Sequence, residues 1–173
     1  MERREFLSAA AAGFGAALSA CTASADQSPG EAFEVTKTDA EWRKQLNGDQ
    51  YQILRKHWTE SPGTSPLNNE HRRGTFFCAG CDQPLFSSDT KFDSGTGWPS
   101  FYRPLPDAVG TTSDRTLGMI RTEVHCHRCG GHLGHVFDDG PPPTGLRYCM
   151  NGGAMVFRTG AKPSATEDPA IQQ

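Results

Sequence analysis

Two short stretches, Cys78-Ala79-Gly80-Cys81 and Cys126-His127-Arg128-Cys129, decide how this chain folds. A CxxC turn directs two thiolates at one point about 2.3 Å away, so two such turns complete a tetrahedron around zinc. Four protein ligands leave no open position for a substrate. The sequence therefore predicts one structural zinc that staples distant parts of the fold, and such binding contributes on the order of 10 kcal/mol in metal-dependent peptides.

Three alternatives remain open for these four cysteines. An oxidising compartment would favour two disulfides, although export of an already folded protein would let zinc bind in the cytoplasm first. A thioredoxin-like redox pair is the second alternative, but neither CxxC opens a helix after a strand. A metal–thiolate stress buffer that releases zinc on mild oxidation is the third.

Length and composition bound the class of protein. The 173 residues suit one domain with extensions, and 19 glycines and 12 prolines indicate many turns. A hydrophobic fraction of 35% argues against a polytopic membrane protein. The 17 basic and 20 acidic side chains give a net charge of -3. We predict no nucleic-acid partner, because phosphate binding needs a local excess of Lys and Arg.

The N-terminal segment indicates export. Over residues 1–20, a paired arginine, Arg3-Arg4, precedes an uncharged stretch of small residues, which resembles a twin-arginine signal peptide. Leu18-Ser19-Ala20-Cys21 resembles a lipobox, so we predict lipidation of Cys21 and a membrane-anchored lipoprotein of the periplasm or cell envelope. The membrane would be contacted only through this lipid. An ordinary N-terminal helix and a plain signal peptide cut nearby are the alternatives.

The remaining ends frame one domain. Residues 21–34 are small and polar and predict a flexible tether, and residues 160–173 predict a disordered tail. The domain is then predicted over residues 35–159. Asp39 is expected to cap a first short helix, a second helix is expected to end near Trp58, and short strands separated by turns follow from Gly74. This is a β-rich domain with helices at its N-terminal edge, which we expect to be a monomer.

Cys149 is the only cysteine of the predicted domain outside the two CxxC turns. A lone cysteine on a strand is more often a small buried hydrophobe than a nucleophile. Here Arg147 and Asn151 share its strand face, and a nearby cation stabilises a thiolate. We place His132 and His135 in a Gly-rich loop that would supply a proton donor. Zinc ligation by these histidines is the competing interpretation.

A further segment, residues 91–101, sets Trp98 between a glycine and a proline. Such a rigid aromatic suits an apolar methyl or sulfonium-like group near its face. We predict that Trp98 and Phe101 form an aromatic pocket. A tryptophan of the hydrophobic core is the alternative.

Taken together and in order, these motifs resemble the methionine-R-sulfoxide reductases, the MsrB family. The resemblance runs from about residue 38 to residue 157. It includes Pro62-Gly63-Thr64-Ser65-Pro66-Leu67 and the segments 78–81, 91–101, 131–141 and 147–151. It implies two antiparallel sheets with N-terminal helices and a zinc held by Cys78, Cys81, Cys126 and Cys129. It also implies reduction of the R epimer of methionine sulfoxide in oxidised proteins and peptides. We expect a thioredoxin-like reductant on the same side of the membrane, because an oxidising compartment offers no bulk glutathione supply.

The resemblance also implies roles for single residues. Cys149 is the nucleophile, Arg147 supports its thiolate, and Trp98 packs against the substrate methyl group. His132, His135 and Asn151 surround the sulfoxide.

The chain departs from the family pattern at two places. Thr96 stands where many members have the cysteine that resolves the oxidised nucleophile, which puts recycling in doubt. Gly152-Gly153-Ala154 replaces the usual serine-containing run. The rival function is a zinc-stapled binding module that uses Trp98 and Phe101, with Cys149 inert. Labelling of Cys149 by a thiol reagent at neutral pH would separate the two functions.

Overall fold

The structure is a computed structural model that describes residues 32–160. The predictions for the signal peptide, for Cys21, for residues 21–31 of the tether and for residues 161–173 of the tail lie outside the described residues. Within residues 32–160, no helix is long and apolar enough to cross a membrane. The helices and strands are α1 (Asp39–Gln45), α2 (Gly48–Lys56), β1 (Gly74–Cys78), β2 (Pro84–Ser87), β3 (Lys91–Phe92), β4 (Ser100–Phe101), β5 (Val109–Asp114), β6 (Arg121–Cys126), β7 (His132–Phe137), β8 (Arg147–Met150) and β9 (Met155–Thr159).

The strands form two antiparallel sheets. The smaller sheet has the strand order β2-β1-β9, and the larger has the order β3-β4-β8-β7-β6-β5. The prediction of a mainly β fold with two antiparallel sheets and short N-terminal helices is therefore confirmed. The larger sheet is a run of sequence neighbours except where β8 inserts between β4 and β7. That insertion brings the segment around Cys149 to the middle of the sheet.

The helices begin at capping boxes. The cap of α1 is Thr38 rather than the predicted Asp39, because Glu41 stands three residues after the threonine. The Thr38 side chain accepts a hydrogen bond from the Glu41 backbone, and the Glu41 carboxylate accepts one from the Thr38 backbone at 2.8 Å. Asn47 caps α2 in the same way with Gln50. The helix α2 ends at His57, whose backbone is left-handed with φ 55°.

Both helices pack over the two CxxC turns. The buried side chains of Trp42 and Leu54 lie against Gly80, and Leu54 also lies against Gly131. The Gln45 side chain donates a hydrogen bond to the Gly80 carbonyl oxygen at 2.6 Å. The N-terminal helices therefore pack on the two CxxC turns and do not stand apart at an edge of the domain.

Residues 33 and 34, which are predicted as the end of the tether, pack against the domain. The Phe33 ring packs edge-on against His125, with 5.6 Å between the ring centroids. The Glu34 carboxylate pairs with Arg128 at 2.8 Å, and the Val35 amide donates to the Arg128 carbonyl oxygen at 2.9 Å. Residues 33 and 34 therefore belong to the domain. The Phe33 ring supplies the contact that a small polar composition does not announce.

The core joins the two sheets through aromatic rings. The Phe101 ring on β4 stacks on Phe86 of β2 at 4.3 Å and meets Phe76 of β1 edge-on at 4.9 Å. Phe101 is fully buried. The predicted aromatic pocket is therefore wrong in one member, because Phe101 has no exposed surface with which to contact a substrate.

Candidate active site

The four CxxC thiols form a metal-binding cluster. Cys78 Sγ lies 3.8 Å from Cys129 Sγ, and Cys81 Sγ lies 3.5 Å from Cys126 Sγ. Zinc–sulfur bonds of about 2.3 Å in a tetrahedron place the sulfurs about 3.8 Å apart, whereas a disulfide joins them at about 2.0 Å. The donor set and its spacing fit one structural zinc, as predicted, and do not fit two disulfides.

The cluster joins the two sheets. Cys78 ends β1 of the smaller sheet, and Cys126 ends β6 of the larger sheet. In both CxxC turns, the residue that follows the second cysteine has a left-handed backbone. These residues are Asp82 with φ 60° and Gly130 with φ 65°. Their amides donate back to the carbonyl oxygens of the first cysteines at 3.0 and 2.8 Å.

The catalytic candidates meet on neighbouring strands of the larger sheet. Cys149 on β8 lies directly opposite His135 on β7, which lies directly opposite Glu123 on β6. Directly opposite residues of antiparallel strands share one face, so the three side chains stand in a row. We call Cys149, His135 and Glu123 the catalytic row.

His132 and His135 are strand residues, which corrects the Gly-rich loop predicted for them. Their segment pairs with β6 on one side and, at residues 134–137, with β8 on the other. Gly134 permits this close pairing, because a Cβ there would lie 2.2 Å from the Cys149 carbonyl oxygen. The glycines that suggested a loop therefore serve strand packing.

Each histidine faces a carboxylate. His132 Nδ1 lies 2.6 Å from Glu123 Oε1, and His135 Nε2 lies 2.8 Å from Asp114 Oδ2. Burial lowers the pKa of His135, and the hydrogen bond to Asp114 opposes that effect. Burial works against ionisation of Glu123, but hydrogen bonds from His132 and His57 outweigh it and lower the pKa of Glu123 to about 2. Glu123 is therefore an anion at neutral pH.

A cavity of about 580 Å³ opens beside these groups. His132 is 2% exposed, and its Nε2 atom has no hydrogen-bond partner within residues 32–160. That buried nitrogen is suited to a polar atom of a bound ligand. The cavity is lined by His57, Thr59, Ser113, Asp114, Arg115, Thr116, Arg121, Glu123, His132 and His135.

Three groups of this site were missed from the sequence: His57, Asp114 and Glu123. Only Glu123 had a signal in the sequence. The alternation of residues along its strand places Glu123 on the same face as Arg121, and the strand leads into the second CxxC turn. Asp114 lies at the end of β5 and His57 at the end of α2. No local sequence pattern predicts that either residue belongs to the site.

Arg147 is a fixed cation on the strand of Cys149. Its guanidinium forms two hydrogen bonds of 2.8 Å with the Asp139 carboxylate and lies 4.4 Å from the centre of the Phe137 ring. The pairing with Asp139 raises the pKa of Arg147, and the neighbouring Cys149 thiolate acts in the same direction. The structure thus places a permanent positive charge two residues from the candidate nucleophile.

The loop before β4 contacts the sulfur directly. Thr96 Oγ1 lies 3.8 Å from Cys149 Sγ and 2.8 Å from Ser94 Oγ. Trp98 is half-buried, so it is not a residue of the closed core, and it lines a second cavity of about 310 Å³. Its Nε1 donates to the Glu60 carbonyl oxygen at 3.1 Å.

Glu60 connects this loop to the segment after Cys149. Its two carboxylate oxygens accept hydrogen bonds from the amides of Gly152 and Gly153 at 2.6 and 2.9 Å. Its own amide donates to Asn151 Oδ1 at 3.0 Å, and Asn151 Nδ2 donates to the Leu133 carbonyl oxygen at 3.1 Å. Asn151 lies just beyond the end of β8, with both ends of its buried amide held by backbone groups. In this structure its contacts position the chain.

Comparison with known proteins agrees with this geometry. Residues 46–159 match the family model described as SelR domain, and the chain belongs to that family.

Several relatives carry the name peptide methionine sulfoxide reductase MsrB, and three of them illustrate the similarity. The relative from Agrobacterium fabrum is 61% identical over 125 residues, which cover 72% of this chain and 93% of the relative. The relative from Leptospira interrogans is 53% identical over 127 residues, 73% of this chain and 97% of the relative. The relative from Pseudomonas putida is 56% identical over 126 residues, which cover 72% of this chain and 95% of the relative. The resemblance to the MsrB family is thereby confirmed.

Proposed function

We propose that the chain reduces the R epimer of peptide-bound methionine sulfoxide to methionine and so repairs oxidised proteins. The catalytic row is the observation that carries the proposal, because it aligns a thiol, an imidazole and a carboxylate on one face. The relatives named above support the same activity. A binding module does not require a thiol that lies directly opposite an imidazole and two residues from a fixed guanidinium.

The residues divide the chemistry among them. The Cys149 thiolate, supported by Arg147, attacks the sulfoxide sulfur, and the face of Trp98 contacts the substrate methyl group. His132 or His135 donates a proton to the sulfoxide oxygen, which makes the sulfur more electrophilic. The methionine sulfur gains two electrons, and the oxygen and its proton end on Cys149 as a sulfenic acid. The zinc held by the four cysteines keeps the sheets together and takes no part in bond making.

Recycling needs a thiol from outside the domain. Position 96 carries a hydroxyl, and four of the five described cysteines are committed to metal. An external dithiol attacks the Cys149 sulfenic acid and releases water. A second attack by the donor then restores the Cys149 thiol and leaves the donor as a disulfide. A thioredoxin-like protein in the same compartment supplies this chemistry.

We also propose that the N-terminal segment directs the enzyme to the cell envelope. Arg3-Arg4 and Leu18-Ser19-Ala20-Cys21 support export and lipid anchoring at Cys21, with the catalytic domain acting as a monomer. Cys21→Ala should release soluble protein or block processing. An unchanged membrane fraction would count against the lipid.

The deciding experiment is turnover of the two epimers of a blocked methionine sulfoxide by the domain with a thiol reductant. We expect methionine from the R epimer only. In Cys149→Ser turnover should vanish, while the zinc content and the thermal unfolding temperature match the wild type. Equal use of both epimers, or near wild-type activity in the variant, would overturn the proposal.

A further inference from the structure

His57 shares a carboxylate oxygen with the buried histidine of the site. His57 Nδ1 lies 2.9 Å from Glu123 Oε1, and His132 Nδ1 lies 2.6 Å from the same atom. The two rings are 5.2 Å apart. The His57 side chain is 62% exposed and that of His132 is 2% exposed. One ionised oxygen therefore links a solvent-facing imidazole to a buried one.

We propose that His57 is a positioning residue for proton donation in the reaction proposed above: it holds Glu123 from a second side and so fixes the carboxylate that orients His132. The inference rests on the proposed function and names one more residue for it.

The hydrogen bonds fix which nitrogen of His132 is available. Glu123 is an anion, so His132 holds its Nδ1 proton towards the carboxylate. The Nε2 atom, which has no partner among the described residues, is left for the substrate oxygen. A carboxylate held from two sides by N–H donors has less freedom to rotate away from His132 than one held from one side.

The charge of His57 strengthens this contact. The hydrogen bond to Glu123 raises the pKa of His57, which favours the cationic form of that ring. A cationic imidazole donates a stronger hydrogen bond to a carboxylate than a neutral one does, so it holds Glu123 more firmly.

The backbone at His57 supports a role beyond helix termination. His57 ends α2 with φ 55°, a left-handed conformation in which glycine or asparagine is the usual residue. A helix end alone would favour one of those residues. The chain keeps an imidazole there, in contact with Glu123.

The test is the single-turnover rate of methionine formation from the R epimer at neutral pH, with enzyme in excess. His57→Asn suits the left-handed backbone but is too short to hold Glu123. We expect it to lower the rate about 10-fold, the low end for groups that orient a ligand, with substrate affinity unchanged. His57→Gln can still donate to Glu123, so we expect its rate to lie closer to the wild type. Rescue by glutamine but not by asparagine separates a hydrogen bond to Glu123 from packing at the helix end.

Two controls separate this role from a structural one. Lys56→Gln alters the same helix end without contact to Glu123 and should leave the rate unchanged. In a Glu123→Gln background, His57→Asn should have no further effect on the rate. A wild-type rate in His57→Asn, no recovery in His57→Gln, or an equal loss in the Glu123→Gln background would overturn the inference while R-epimer turnover by the wild type upholds the proposed function. No methionine from the wild type would overturn both.

Discussion

The cysteine cluster and the catalytic row use the same hairpin of the larger sheet but are assembled in different ways. Each half of the cluster is a four-residue turn whose geometry is local. The row is assembled from strands that meet only when the sheet forms, with additions from α2, β5 and the loop before β4. Glu123 lies three residues before Cys126, and His132 lies three residues after Cys129. The zinc site therefore fixes the turn between β6 and β7, and these two strands carry Glu123, His132 and His135.

This difference separates structural from chemical sensitivity. A change in the cluster should remove the fold and the activity together, since a metal of this kind contributes folding free energy directly. A change in the row should remove activity and leave the fold. Variants at either region test that separation.

The largest effect is expected from Cys129→Ser. Loss of one thiolate removes a share of a binding free energy on the order of 10 kcal/mol, comparable to the whole stability of a typical domain at about 5–15 kcal/mol. We expect zinc content to fall from about one per chain and cooperative thermal unfolding to disappear. Cys149→Ser is the matched thiol control and should keep both. Full zinc content and an unchanged unfolding temperature in Cys129→Ser would show that the cluster does not stabilise the fold.

A smaller effect is expected from Glu60→Ala. The amides of Gly152 and Gly153 would lose their acceptors, and each unpaired buried amide costs about 1–3 kcal/mol. We expect urea unfolding to show a loss of about 3 kcal/mol, with a fall in turnover because the segment after Cys149 is freed. Glu60→Gln keeps one side-chain acceptor and should lie between the two. Unchanged turnover in Glu60→Ala would show that this anchoring does not matter to the row.

The departure at Gly152 has a packing explanation that can be measured. A Cβ at position 152 would lie 1.8 Å from Ser65 Oγ and 2.6 Å from Ser65 Cβ, so the Ser65 side chain occupies the space that a serine at 152 would need. Gly152→Ser should destabilise the domain by about 1–3 kcal/mol through overpacking. Adding Ser65→Gly should recover most of that loss in a double-mutant cycle. Purely additive losses would show that the two positions do not compete.

The sequence predicted what depends on local chemistry. Two CxxC turns, a lone cysteine beside Arg147 and an ordered set of motifs were enough for the zinc ligands and the sheet class. Sequence-based prediction failed where the position of a residue depends on burial or on pairing between strands that are distant in the sequence. Phe101 belongs to a core shared by both sheets, and the glycines around His132 and His135 permit strand pairing.

The cross-strand partners of the site had the weakest signal. Glu123 was visible only as an acid in an alternating strand. His57 reaches the site because α2 packs on β7. The two elements are far apart in the sequence, so no local sequence pattern predicts this contact.

The smallest effect on stability and the sharpest on chemistry are expected from Thr96→Cys. The side chain at position 96 already touches Cys149 Sγ at 3.8 Å, so a thiol there can attack the sulfenic acid after one turnover. Without reductant, the variant treated with excess sulfoxide should form one intramolecular disulfide, release water, and give no dimedone adduct. The wild-type domain should give a stoichiometric adduct on Cys149. The rate of the first methionine should be nearly the same in both, because position 96 does not donate the proton.

The matched control is Thr96→Ser, which keeps the hydroxyl and should behave as the wild type. The cysteine cluster supplies the contrast, because its sulfurs are as close to one another as Thr96 is to Cys149 but are held by metal. If the wild-type domain instead forms a rapid disulfide between Cys149 and a cluster cysteine, with zinc released, then the two regions exchange electrons. Recycling would then pass through the structural end of the molecule, and the separation between the two regions would fail. A persistent sulfenic acid in the wild type keeps the cluster out of the redox chemistry.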